Sequence, residues 1–110
     1  MKIPFHKPYI GFREKMAVWK VLSSGWLAQG EDVEKFEAMF AEYVGAKHAI
    51  AVSSCTSALF LSLKCLGVGR NSRVLVPSLT FTASAGVITH CGAIPVFMDS
   101  NRDDFCMDKY

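Results

Sequence analysis

Three five-residue apolar runs, "HAIAV" (48–52), "RVLVP" (73–77) and "IPVFM" (94–98), alternate with two stretches of helical apolar spacing. Runs of this length, rich in β-branched residues and bounded by turn residues, predict buried strands. The first intervening stretch carries Leu59, Phe60, Leu63 and Leu66 and stops at the Gly67/Gly69 loop. The second runs through "FTASAGVITHC" to Gly92, and its small residues Ala83, Ser84, Ala85 and Gly86 predict close packing against a neighbour. Strand, helix, strand, helix, strand in that order calls for right-handed crossovers and parallel strands. The predicted fold is therefore α/β, a three-layer partial parallel sheet with flanking helices.

Two helices are predicted before this unit. Apolar residues at 12, 16, 19 and 22 form one stripe that ends at Gly25. "SGWLAQG" (24–30) then reads as a loop in which Gly25 and Gly30 bend the chain. Glu31 and Asp32 suit the positive end of a second helix, whose stripe is Val33, Phe36, Phe40, Tyr43 and Val44, with Gly45 closing it. Pro4 and Pro8 make the first ten residues extended and irregular. The chain thus divides into helices over 12–45, a βαβαβ unit over 47–99 and a polar tail over 100–110, one domain by length. Three strands buried on both faces make a narrow sheet with two open edges, so the fold reads as unfinished.

Composition narrows the function. An apolar share of 51% is that of a packed protein and argues against disorder. The net charge is +2, and the cations at 13, 15, 20, 35, 47, 64, 70 and 73 form no stripe, which argues against nucleic acid. The sequence has no leader-like apolar run and no run of membrane-spanning length. Cys55, Cys65, Cys91 and Cys106 contain no C-x-x-C pair, so reduced thiols in the cytoplasm are expected. His6, His48 and His90 share no ligand spacing with them, and no metal is expected. There is no internal repeat.

The chemistry concentrates at two strand ends. Ser53, Ser54, Thr56 and Ser57 follow the first run, and Ser78, Thr80 and Thr82 follow the second. Ligands of open α/β sheets sit beyond the carboxyl ends of the strands, where unpaired N–H groups and the helix dipole favour an anion. Hydroxyls there suit a phosphate or carboxylate. The same residues serve equally as simple caps, Ser54 for one helix and Thr80 for the other, and local pattern leaves both readings open. Neither G-x-G-x-x-G nor G-x-x-x-x-G-K-[ST] occurs, so a dinucleotide or P-loop site is a poor fit. Cys55, at the same helix start, is the candidate reactive cysteine, although free cysteine is more often a buried, inert thiol.

Five stretches in order, "IPFHKPYIG", "SSGWLAQGEDVEKFEAMFAEYVGAKHAIAVSSCTSAL", "ALFLSLKCLGVG", "VLVPSLTFTASAGVI" and "GAIPVFMD", resemble the N-terminal portion of the DegT/DnrJ/EryC1/StrS sugar aminotransferases. The resemblance implies the start of a fold-type I large domain and pyridoxal phosphate as cofactor. It implies a nucleotide-linked keto sugar as substrate, an amino donor such as glutamate, and a homo-oligomer. It assigns the cofactor phosphate to Thr56 and Ser57 through hydroxyl and N–H groups. Cys55 stands where many members have glycine. "PSLTF" matches the segment whose aromatic residue stacks on the pyridine ring, which gives Phe81 that role; the residues alone read Phe81 as a core residue opening an amphipathic helix. The loop carrying Trp26 matches one lining the substrate end, while the residue itself leaves an indole packed under its own loop equally open.

Transamination also needs a lysine to hold the cofactor and shuttle the proton, and an acid to keep the pyridine nitrogen protonated. In the family both lie downstream of the stretch matching "PVFMD". Lys64, in mid-helix, is expected on a solvated face, and Asp99 matches a different family position. No catalytic residue is assigned, and no turnover is expected from these 110 residues alone. The competing reading is a non-catalytic remnant or oligomerising interaction module that keeps the α/β fold.

Overall fold

Glycine ends the first two helices. In the computed structural model, which describes residues 3, 4 and 6–108, α1 spans Phe12–Ser24 and α2 spans Glu31–Val44. Gly25 and Gly45 follow them with φ of 73° and 69°, the left-handed region that costs glycine least. The Gly45 N–H reaches the Glu42 carbonyl at 3.1 Å, and the Ala46 N–H reaches that of Ala41 at 2.9 Å, closing the last turn of α2. At the start of α1 the Glu14 carboxylate accepts the Gly11 N–H at 2.7 Å, satisfying one of the orphan donors. Glu31, Asp32 and Glu34 occupy the first turn of α2, as the dipole favours. On the apolar stripe of α2 the Phe36 and Phe40 rings lie 5.8 Å apart.

The described residues form two compact units, Met1–Ala51 and Val52–Tyr110. Phe5 in the "IPFHKPYIG" stretch, the irregular start at residues 1 and 2, and the last two residues of the tail lie outside the described residues.

The second unit contains α3 (Cys55–Cys65), β1 (Arg73–Pro77), α4 (Thr82–His90) and β2 (Ile94–Met98). β1 and β2 pair in parallel, with Val74 beside Pro95 and Val76 beside Phe97, and α4 is the crossover between them. Val76, Ile88 and Ala93 form the buried core, with Leu63, Val68, Val74 and Ala85 packed around it. Alternation along β1 puts Val74 and Val76 on this covered face. Leu75, like Ile94, is 56% exposed on the other. After β2 the chain folds back on itself: the Asp108 N–H donates to the Asp99 carbonyl at 2.8 Å, and the Asn101 N–H donates to that of Cys106 at 2.8 Å.

The α/β class and the small parallel sheet stand, but three expectations change. "HAIAV" is not a strand, and Ile50 is 81% exposed rather than buried. A five-residue segment becomes a strand only when a neighbouring backbone completes its ladder. Here the Ala51 N–H is instead taken by the Glu37 carboxylate at 2.6 Å, and among the described residues the sheet has two strands rather than three. The expected burial of the strands on both faces also fails, because α3 and α4 leave Leu75 and Ile94 bare. Finally, Thr80 does not cap α4. The N-cap is Phe81, and the Thr80 hydroxyl pairs with that of Ser84 at 2.9 Å.

Candidate functional site

At the mouth of α3 the hydroxyl cluster divides into used and unused groups. Ser54 is the N-cap, and its Oγ accepts the Ser57 N–H at 3.1 Å. The Ser57 hydroxyl lies 2.9 Å from that of Ser54 and 3.3 Å from that of Ser53, which makes Ser57 the hub of the cluster. Among the described residues, nothing accepts from the Thr56 hydroxyl or from the backbone N–H groups of Cys55 and Thr56. These donors belong to the first turn, where the helix itself supplies no acceptor. The capping reading therefore holds for Ser54, while the Thr56 hydroxyl and N–H have no acceptor among the described residues.

Thr56, though not Cys55, borders a hollow of about 560 Å³ lined by Ser54, Thr56, Ser57, Phe60, Leu61, Val87 and His90. It forms because α3 packs against α4, which brings the last turn of α4 to the first turns of α3. Unpaired N–H groups, a free hydroxyl and the positive end of the α3 dipole make its polar wall suited to a phosphate. The donor set fits a phosphoryl group. His90 and Val87 had no signal in the sequence, since their place in the wall depends on how two helices pack.

Phe81 is the N-cap of α4 with extended backbone (φ −69°, ψ 140°), and it is 78% exposed. It does not line the hollow, so the structure gathers Thr56 and Ser57 there without Phe81. Its aromatic face is nonetheless free of the core. Trp26 belongs to the first unit. Its indole N–H donates to the Gln29 carbonyl at 2.9 Å, and its backbone N–H donates to the Ser24 hydroxyl at 3.2 Å. Its donor is thus committed within its own loop.

Cys55 is exposed, so it is not the buried thiol that residue type favours; Cys91 is the buried one. Lys64 is exposed on α3, in keeping with a solvated face. Asp99 accepts the Ser100 N–H at 2.8 Å, a local turn contact. Among the described residues no helix is long and apolar enough to cross a membrane.

Comparison with known proteins gives this geometry its context. The model of the DegT/DnrJ/EryC1/StrS aminotransferase family matches residues 8–110. The chain is 47% identical over 106 residues to the spore coat polysaccharide biosynthesis protein SpsC of Bacillus subtilis (strain 168), covering 96% of this chain and 27% of SpsC. Spr1654 of Streptococcus pneumoniae, described as a sugar aminotransferase, superposes in its PLP form with a TM-score of 0.92 at 40% identity, over 98% of this chain and 28% of that one. An aminotransferase from Psychrobacter cryohalolentis gives a TM-score of 0.83 at 37% identity, over 89% of this chain and 26% of that one. The chain therefore spans about a quarter of the length of the relatives it matches. By sequence and fold alike, the chain belongs to the DegT/DnrJ/EryC1/StrS aminotransferase family.

Proposed function

We propose that this chain is the N-terminal part of a pyridoxal-phosphate-dependent aminotransferase acting on nucleotide-linked keto sugars, with an amino donor such as glutamate. The observation that carries the reading is the set of unclaimed donors at Thr56, at the head of α3 and facing a hollow of about 560 Å³. Family membership supports the cofactor, since Spr1654 has been solved in PLP and PMP forms.

Thr56 holds the phosphate through its hydroxyl and N–H, with the N–H of Cys55 beside it. Ser57 contributes through its hydroxyl, because its N–H is already given to Ser54. Phe81 offers an aromatic face for stacking on a flat ring, which an exposed N-cap residue presents at little conformational cost. Trp26 stands in the loop assigned to the substrate end. When bound, the cofactor supplies the electron sink that transamination requires. The described residues supply binding and orientation, and no turnover is expected from them alone. The intact protein is expected to be a homo-oligomer working in the cytoplasm.

One observation favours a second reading, an oligomerising module without catalysis: the bare sheet face at Leu75 and Ile94. Titration with pyridoxal phosphate, followed by fluorescence, separates the two. Saturable binding that weakens about tenfold or more in Thr56→Val supports the cofactor site, since a lost hydrogen bond to a charged group costs about 1.5–3 kcal/mol. Absence of binding by the unaltered chain supports the module.

A further inference from the structure

We propose that Trp26 is an internal latch that holds the loop between α1 and α2 preformed. A chain of hydrogen bonds runs through that loop. The Ser24 hydroxyl donates to the Val21 carbonyl at 2.7 Å and accepts the Trp26 N–H at 3.2 Å. The indole N–H then reaches forward to the Gln29 carbonyl at 2.9 Å. The next residue, Gly30, is the N-cap of α2, and its carbonyl accepts the Val33 N–H at 2.9 Å and the Glu34 N–H at 3.2 Å. The end of one helix is thereby tied to the start of the next through a single side chain.

Gly30 supplies the second, independent observation. Its φ of −171° is extended backbone that any residue adopts, so the chain path does not demand glycine there. What demands it is the indole: a Cβ at position 30 would lie 2.8 Å from Trp26 Cδ1 and closer still to Nε1. Real Cβ atoms do not approach so closely, and any side chain at 30 displaces the ring and breaks its bond to Gln29. Gly25, with φ of 73° and open space around it, is glycine for its backbone. The two glycines of one loop thus have different causes.

The latch rests on these contacts alone. Its consequence for substrate rests on the proposed function: a loop held by its own tryptophan reaches the substrate end already shaped, and the indole offers a ring face rather than a donor.

The chain carries its own control. Trp19 and Trp26 are 62% and 65% exposed, but among the described residues only the Trp26 indole N–H finds an acceptor. Hydrogen exchange of the two indole protons, read by NMR on the unaltered protein, is expected to be at least about tenfold slower for Trp26, as a bonded donor must open before it exchanges. Gly30→Ala is expected to abolish that difference while leaving Trp19 unchanged. Equal exchange in the unaltered protein overturns the proposal, as does a Gly30→Ala variant that keeps Trp26 protected. If protection behaves as expected but Trp26→Phe leaves the binding of a sugar nucleotide to the cofactor-loaded protein unchanged, the latch stands and the substrate role of the loop fails.

Discussion

Ser54 and Thr80 occupy similar places in the sequence, each a hydroxyl residue ahead of a helix, yet only one caps. Ser54 Oγ takes the Ser57 N–H, whereas Thr80 lies one residue before the N-cap Phe81 and pairs with Ser84 instead. Ser54→Ala should therefore cost about 1 kcal/mol of stability in urea unfolding, the usual worth of an N-cap. Thr80→Ala should cost clearly less, and an equal loss would mean that the cap of α4 has been misplaced. Gly86 offers the opposite test. It sits inside α4, where an added Cβ would meet nothing within 4 Å, and its helix position gives glycine no advantage. Gly86→Ala should raise stability by up to about 1 kcal/mol; a fall in the unfolding midpoint would contradict the open space assigned there.

At the scale of elements, what the sequence made legible was what local chemistry decides. The limits of α1 and α2 followed from Gly25, Gly45 and the acidic start at Glu31, because a helix end is settled within one turn. "RVLVP" and "IPVFM" became strands because each is the other's neighbour. "HAIAV" carries as strong a pattern and did not, since pairing depends on distant backbone that no local pattern encodes. The cover on one face of the sheet was hidden for the same reason. The core over that face should be sensitive: Ile88 is buried beside Val76 and Ala93, and Ile88→Ala should cost about 2–5 kcal/mol. Leu75→Ser on the bare face should cost much less in the same unfolding experiment. Comparable losses would place Leu75 in a core that the structure does not give it.

For the whole molecule, the division of labour in the hydroxyl cluster matters most. The family resemblance pointed to Thr56 and Ser57 together, but the fold gives them different freedom: Ser57 is tied into the cap, and the Thr56 hydroxyl and N–H have no acceptor among the described residues. That distinction needed coordinates, as did the wall completed by His90. The central claim is that the head of α3 receives the phosphoryl group of a flat cofactor. Its most direct test is an NMR titration of the protein with pyridoxal phosphate, read residue by residue. The account predicts saturable shifts centred on the amides of Cys55 and Thr56, with Phe81 moving in the same titration. Shifts that leave 54–58 untouched, or that survive Thr56→Val unaltered, would contradict it.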